Sequence, residues 1–268
     1  MLKSMQTYSK EPTPLLGYIF GALCGDAYLE GDAKRGVYGI VLKTPNKDYA
    51  DLFACILEDW SGYKVQWRPI SKPKKGTWKP AYRVMLQGKE FLNYFRQYFE
   101  KQKTFTWKVP KIILSANEEV KKGFLVGFFD AEGFCYLYKG YMTVGASSAN
   151  LLGLKQVQEL LKEMGIHSRI QKTFTGHYEL RIRRKESIDK FMEKVGFGVL
   201  SKIEKADSLW FKAPLAKPNQ GERYKIIFNL FRSGMSYKEI ASRLGITALG
   251  VGSLLSYARR RINLCNLN

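Results

Sequence analysis

Two stretches of the chain are apolar on nearly every helical face, and they match each other. The first spans residues 16–27 and the second 122–133, at an offset of 106 residues. A helix that is apolar all round must be buried, normally against another helix. Small residues four positions apart let two helix backbones approach closely, and each run carries such a pair: Gly21 and Gly25 in the first, Gly127 and Ala131 in the second. We therefore predict two buried helices packed against each other.

The segments that follow each run also repeat. After the first run, alternating apolar and polar positions predict strands through residue 28 and at 37–42, 63–69 and 80–86, with helices at 48–60 and 88–99. After the second run, strands at 134–137, 141–144, 168–173 and 178–183 alternate with helices at 150–164 and 186–195. The pattern predicts an α+β fold with two αββαββα halves, at 1–103 and 104–212.

The charge of the chain limits the classes of partner that it is expected to bind. Its 268 residues carry 44 Lys and Arg against 24 Asp and Glu, a formal net charge of +20, while 45% of them are hydrophobic. The apolar content predicts a folded chain. The charge predicts a polyanionic partner, nucleic acid first and an anionic membrane second. No uninterrupted apolar run reaches the 18 residues of a membrane span, so we expect no membrane insertion.

Cysteine and histidine usage argues against a zinc site and against export. The four cysteines are scattered without a C-x-x-C pair, and there are only two histidines. The apolar run at 15–24 imitates a signal peptide, but it is short and meets Asp26 directly. We expect reduced thiols in a cytoplasmic protein, or one of an organellar matrix if organelle-encoded, that is not secreted.

Basic residues concentrate on two equivalent predicted hairpins. Residues 63–89 include eight basic residues and no acid. Hairpin tips can follow phosphates while strand side chains reach base edges. Because both hairpins of the repeat are basic, we predict contacts with double-stranded DNA rather than a merely solvated charged face. The predicted contact residues are Lys64, Arg68, Lys72, Lys74, Lys75, Lys79, Arg83, Arg169, Lys172, Arg181, Arg183 and Arg184.

A linker and a small helical module are predicted at the end of the chain. Residues 213–221 hold two prolines and a glycine, and residues 222–268 are predicted to be all-α. Ser236-x-x-Glu239 is a capping box, and Thr247 can cap a further helix. The segment from Lys238 to Ile246 resembles the helix-turn-helix of sigma factors and resolvases. That resemblance and the basic charge favour a second DNA contact, with Arg259 and Arg260 on phosphates; the alternative is a helical cap on the rest of the chain.

Each of the two apolar runs ends in an acid, Asp26 in the first and Glu132 in the second. If the helices pack together, two carboxylates meet at the negative ends of two helix dipoles, where they repel each other. Divalent cations resolve this conflict, and Mg²⁺ prefers oxygen ligands. Two-metal sites of this kind hydrolyse phosphodiesters. We therefore predict a site for two or three Mg²⁺ ions shared by Asp26 and Glu132.

These motifs resemble the LAGLIDADG homing endonuclease family. The nine-residue signature aligns with residues 19–27 and, more closely, with 125–133. Two copies in one chain imply a monomer with internal pseudo-two-fold symmetry, a DNA-binding saddle, and Mg²⁺-dependent double-strand cleavage at a long asymmetric site. The resemblance implies that Asp26 with the Gly25 carbonyl, and Glu132 with the Ala131 carbonyl, bind the metal. It also implies a catalytic role for Lys43, whereas the second half has Ala146 and Ser147 at the equivalent place.

Two alternatives stay open on the same fold. A non-cleaving DNA-binding regulator should lose the helix-end acids, which this chain keeps. An RNA maturase that assists splicing would also need a basic saddle, and RNA would then be a partner. An intein-embedded nuclease is less expected, because neither Met1 nor the final Asn-Leu-Asn provides splicing chemistry.

Overall fold

The predicted αββαββα order is confirmed in both halves. The computed structural model describes residues 11–65, 67–70, 81–99, 106–138 and 141–210, and, near the C-terminus, 227, 230–231, 233–244, 247–252 and 255. The first half consists of α1 (Pro14–Leu23), β1 (Ala27–Asp32), β2 (Val37–Thr44), α2 (Lys47–Ser61), β3 (Trp67–Ile70), β4 (Ala81–Gln87) and α3 (Lys89–Arg96). After a one-turn helix, α4 (Lys111–Leu114), the second half consists of α5 (Glu118–Glu132), β5 (Gly133–Tyr138), β6 (Tyr141–Ser148), α6 (Leu151–Glu163), β7 (Arg169–Lys172), β8 (Tyr178–Ile182) and α7 (Lys185–Lys194). Among the described residues further along lie α8 (Leu200–Trp210), which was not predicted from the sequence, and α9 (Tyr237–Leu244).

Local sequence explains where several helices begin and end. The Thr13 hydroxyl accepts a hydrogen bond from the Leu16 amide at 3.2 Å, and Pro14 occupies the first turn of α1. Helix α2 ends at Gly62, whose φ of 73° lies in the left-handed region that favours glycine. Within the two halves, asparagine side chains cap the starts of α2, α5 and α6: Asn46, Asn117 and Asn150.

Each half folds its strands into one four-stranded antiparallel sheet. The strand orders are β1-β2-β4-β3 and β5-β6-β8-β7. One row of residues across the first sheet is apolar and faces the helices: Ala27, Leu42, Val84 and Trp67. The equivalent row of the second sheet is Gly133, Ala146, Leu180 and Ile170. Because side chains alternate along a strand, the neighbouring rows lie on the opposite face.

Helices α1 and α5 pack with their backbones in contact. A Cβ built on Gly21 would lie 2.1 Å from the Phe124 carbonyl oxygen, and one on Gly127 would lie 2.2 Å from the Tyr18 carbonyl oxygen. A methyl group cannot fit at either distance. The predicted close approach of the two apolar helices is therefore confirmed. The described cysteines also behave as expected for core thiols, because all three are buried and unpaired: Cys24, Cys55 and Cys135.

The described part of the C-terminal module packs on α2 and on the segment before α8. The Tyr237 hydroxyl donates to the Gly198 carbonyl at 3.3 Å, and Lys238 forms an ion pair with Glu58. The Ala248 amide donates to the Asp59 carboxylate at 3.3 Å, so the start of helical residues 248–252 faces α2. This packing is the one that the helical-cap alternative predicts.

The predicted caps of the module are confirmed. The Glu239 carboxylate accepts from the Ser236 amide at 2.7 Å, and the Ser236 hydroxyl accepts from the Glu239 amide at 3.3 Å. The Thr247 hydroxyl accepts from the Gly250 amide at 3.1 Å. The predicted linker at 213–221 and most of the helix predicted at 222–231 lie outside the described residues. None of the described helices is long and apolar enough to cross a bilayer.

Candidate functional site

The C-terminal ends of α1 and α5 bring the two predicted acids together. A Cβ on Gly25 would lie 2.4 Å from the Ala131 Cβ and 3.6 Å from Oε1 of Glu132. The backbone of the residue before Asp26 therefore lies close to the Glu132 side chain, and the charge of Asp26 acts on Glu132. A turn connects the end of α1 to Asp26, whereas Glu132 is the last residue of α5. Strands β1 and β5 begin at the next residues, so the acids lie where paired helices meet two sheets.

Both carboxyl groups have raised pKa values. Partial burial raises the pKa of Glu132 to about 7, and the negative charge of Asp26 adds to the rise. Burial also raises the pKa of Asp26, although this residue keeps an exposed edge. The ionised form of Glu132 is partly removed from solvent and is opposed by the like charge of Asp26, whereas Asp26 itself keeps more contact with solvent. A bound cation would relieve both penalties.

Lys202 of α8 supplies positive charge to this site. Its ammonium donates to the carbonyl oxygen of Gly133 at 2.7 Å and to that of Phe129 at 3.0 Å, at the C-terminal end of α5. It thereby places a positive charge at the negative end of the α5 dipole, although the Phe129 carbonyl also accepts from the Gly133 amide. Its charge opposes the rise in the pKa of both Asp26 and Glu132, while burial lowers its own pKa.

Lys202 was not predicted as a site residue. It lies far along the chain from either acid, on the unpredicted helix α8. The available signal was a single lysine between the apolar residues Leu200 and Ile203. A charged side chain on a buried face needs a partner, and here the partners are backbone carbonyls near the two acids.

Asp130 is a buried acid that fixes the segment carrying Lys202. Its carboxylate accepts from the Tyr18 hydroxyl at 2.6 Å, the Gly198 amide at 2.9 Å and the Val199 amide at 3.1 Å. Burial raises its pKa to about 6, and these hydrogen bonds oppose the rise. The carboxylate therefore links α1, α5 and the start of α8 beside the site.

Strand register places Lys43 next to Asp26. Ala27 pairs with Leu42 as the last pair of that ladder, so Asp26 and Lys43 are the next positions along their two segments at the same end of the sheet. The Lys43 ammonium is exposed and lies 5.4 Å from the centre of the Tyr28 ring. In the second half Gly133 pairs with Ala146, which puts Ser147 beside Glu132. The two halves thus differ at this equivalent position.

A row of three cations crosses the first sheet beside Asp26. Lys43 pairs with Arg83, and Arg83 pairs with Arg68, so all three lie on one face. Arg83 also forms an ion pair with Glu30 at 2.5 Å. The equivalent row of the second sheet has no cation, since it consists of Ser147, Glu179 and Gln171.

The other predicted contact residues are distributed as follows. In the second sheet Arg181 lies opposite Arg169 and forms an ion pair with Glu179 at 2.5 Å. Five predicted residues are exposed: Lys64, Arg169, Lys172, Arg183 and Arg184. Six lie outside the described residues: Lys72, Lys74, Lys75, Lys79, Arg259 and Arg260.

Comparisons with known proteins agree with this architecture. Residues 119–196 match the model of the LAGLIDADG-like domain, and residues 222–262 match that of sigma-70, region 4. An uncharacterised protein of Methanocaldococcus jannaschii is 28% identical over 215 residues, which are 74% of this chain and 72% of that protein. The chain spans only 21% of another curated relative from the same organism, at 24% identity.

Solved structures give the same result for the fold. The homing endonuclease I-DmoI in complex with DNA and Ca has a TM-score of 0.54 and 18% identity, covering 75% of this chain and 100% of that chain. Full-length DUF199/WhiA from Thermatoga maritima has a TM-score of 0.49 and 14% identity, covering 96% of this chain and 93% of that chain. The similarity to I-DmoI shows that this chain shares the LAGLIDADG fold.

The donor set at the paired helix ends fits a hard divalent cation. It consists of oxygen atoms alone, from the carboxylates of Asp26 and Glu132 and the nearby backbone carbonyls. Across the described part of the chain, no group of three or more His, Cys, Asp or Glu residues gathers as a metal site. A cation here would therefore take part of its coordination from the backbone or from a bound phosphate.

Proposed function

We propose that this chain is a site-specific, metal-dependent DNA endonuclease that cuts both strands of a long asymmetric target. It would act as a monomer, with pseudo-two-fold halves at 1–103 and 104–212, a linker at 213–221 and a DNA-binding module at 222–268. The observation that carries the proposal is the meeting of Asp26 and Glu132 at glycine-packed helix ends, with raised pKa values. The description of I-DmoI as a homing endonuclease that binds DNA and Ca supports it further.

The two acids would hold the cations. Asp26 and Glu132, with the carbonyls of Gly25 and Ala131, would bind two or three Mg²⁺ ions. When bound, Mg²⁺ supplies Lewis acidity toward the scissile phosphate and its leaving oxygen. The chain's own contribution is to hold both carboxylates close together in a partly buried place, where the charge of Lys202 favours their ionised forms.

Lys202 and Lys43 would support the reaction in different ways. The Lys202 ammonium reduces repulsion between the carboxylates and fixes the last carbonyls of α5, so the acids keep one geometry through the reaction. Lys43 lies beside Asp26 on an exposed sheet face, where its ammonium can neutralise charge on the phosphate being cut. In the second half, Ser147 stands at the position equivalent to Lys43 and carries no positive charge. This difference between the two halves of the protein supports an asymmetric DNA target.

The exposed cations would bind the flanking duplex. Backbone phosphates supply most of the binding energy, and side chains that reach base edges supply the sequence preference. The Lys43–Arg83–Arg68 row lies directly beside one acid, so it would contact DNA close to the cut. On the second sheet, the exposed Arg169 would contact the duplex from the face opposite the helices, and the exposed Lys172 would contact it from the β7 end next to the turn.

The experiment that tests the proposal is selection of cleaved sites from a randomised duplex library in Mg²⁺. We expect recovery of one long asymmetric sequence cut on both strands. Recovery of bound but uncut sequences would support the regulator alternative. Preferential binding of structured intron RNA over any duplex would support the maturase alternative.

A further inference from the structure

The turn between β7 and β8 presents one aromatic side chain entirely to solvent. Phe174 is the most exposed large apolar residue in the described part of the chain, with a relative exposure of 107%. Its ring makes no contribution to the core. A single exposed apolar side chain is normal on a protein surface. Phe174 differs in the turn that holds it and in the charges around that turn.

The turn is rigid. The Thr173 amide donates to the His177 carbonyl at 2.7 Å, and the Thr173 hydroxyl donates to the same oxygen at 3.0 Å. The Gly176 amide donates to the Thr173 carbonyl at 3.1 Å, with Gly176 at a φ of 86° that a glycine adopts freely. Phe174 is therefore held at the tip of a closed hairpin, and little backbone freedom would be lost when it contacts a partner.

The hairpin carries exposed positive charge at both ends of β7. Lys172 lies next to the turn and Arg169 at the opposite end of the strand, while the acid of the hairpin, Glu179, is paired with Arg181. A surface of this charge fits a polyanion. A two-stranded ribbon has the width that the major groove of B-DNA admits, and there the apolar group on a base edge is the thymine 5-methyl.

We propose that Phe174 contacts the 5-methyl group of a thymine in the major groove, and so fixes one base of the target on the side of the second half. The inference rests on the proposed DNA binding but not on cleavage. The cations of the ribbon hold the phosphates, and the phenyl ring excludes water from the methyl group. A cytosine at that position lacks the methyl group and would be bound less tightly.

The test uses the full-length chain and a duplex selected by binding in Ca²⁺, so that it is independent of cleavage. Each thymine of this duplex is replaced in turn by deoxyuridine, which lacks only the 5-methyl group. We expect one replacement to weaken wild-type binding about fourfold, the factor that corresponds to one buried methyl group. Phe174→Ala should bind the unmodified duplex at least as weakly and should be insensitive to that replacement.

Leu152→Ala is the matched control. Leu152 is 62% exposed but lies at the start of α6, on the helical layer rather than on the hairpin. The Leu152→Ala variant should bind every duplex as tightly as the wild type does. Both variants should have the melting temperature of the wild type, because neither side chain is in the core. The inference would be overturned if Phe174→Ala bound the duplex as tightly as the wild type does. It would also be overturned if every deoxyuridine replacement changed the affinity of both proteins by the same factor. Either result would leave the proposed endonuclease intact. If the wild type bound no duplex at all, both proposals would be overturned, whereas binding without cutting would overturn only the endonuclease.

Discussion

Replacing Gly21 with alanine tests whether the spacing of α1 and α5 controls the site. The added Cβ would lie 2.1 Å from the Phe124 carbonyl oxygen and 2.6 Å from the Phe128 amide nitrogen. Both atoms belong to the backbone of α5, so neither can rotate away as a side chain would. Because carbon–oxygen contacts below about 3.3 Å are unfavourable, the two helices must separate by roughly 1 Å.

The cost to stability is moderate and the cost to activity is larger. Overpacking of a close interface costs about 1–3 kcal/mol, while alanine gains about 1 kcal/mol over glycine in a helix. We expect a net loss of up to about 2 kcal/mol in the free energy of unfolding. The separation also moves Asp26 away from Glu132, and a displacement of this size can reduce a reaction rate about a hundredfold.

Urea unfolding and single-turnover cleavage of the selected target measure the two effects separately. Gly31→Ala is the matched control, because the nearest atom to its added Cβ is the end of the flexible Arg96 side chain, at 2.4 Å. That variant should keep nearly wild-type stability and rate. If Gly21→Ala lost stability but cleaved at the wild-type rate, the link between helix spacing and the acids would be refuted. Wild-type behaviour in both assays would refute the close packing itself.

Three further predictions concern Lys202, Glu132 and the C-terminal module. Lys202→Met should slow single-turnover cleavage at least about tenfold while leaving DNA affinity in Ca²⁺ nearly unchanged. The reason is that it removes a positive charge beside the acids and none from the sheets. An unchanged cleavage rate would contradict a role of Lys202 in the site. The pKa of Glu132 is raised from 4.5 to about 7, so the metal-free native state holds a proton that the unfolded state releases, and its stability falls as the pH rises through this interval. Glu132→Gln lacks this fall and should be more stable than the wild type by about 3 kcal/mol at pH 8, because each pKa unit corresponds to about 1.4 kcal/mol. Urea unfolding between pH 5 and 8 measures the difference, and parallel stability curves would disprove the raised pKa. A chain truncated after Gly221 should bind DNA more weakly and with a shallower salt dependence. It should also melt at a lower temperature, because Tyr237 and the buried Ala248 pack on the rest of the chain. Binding titrations at several salt concentrations measure the slope, and an unchanged slope would mean that the module only stabilises the fold.

The repeat made most of the fold predictable. Two apolar runs with matching glycines fix which helices pack together, and alternation in the strands fixes which faces are buried. The strand register then brings Lys43 beside Asp26, a proximity that the family resemblance implied and that side-chain alternation alone does not specify. Helix α8 was missed because its charged and apolar positions, such as Lys202 and Ile203, alternate too irregularly for a clear helical period.

The electrostatics of the site could not be predicted in the same way. Asp130 has a carboxylate like that of Glu132 and lies two positions away, yet one is a buried anchor for Gly198 and the other faces Asp26. Only the hydrogen bonds from the segment at 198–202 to α5 separate these roles. The ion pair of Arg83 with Glu30 is likewise tertiary, whereas that of Arg181 with Glu179 lies within one strand. Both pairs show why a basic run does not by itself identify which cations are free to bind DNA.

The most direct test of the proposed function is to measure cleavage and binding by Asp26→Asn on the selected target. Glu163→Gln serves as the control, since it removes an exposed carboxylate that pairs with Lys121 on the surface. We predict that Asp26→Asn binds the target in Ca²⁺ as the wild type does but cuts neither strand in Mg²⁺, while Glu163→Gln does both normally. Undiminished double-strand cutting by Asp26→Asn would contradict a site shared by the two acids.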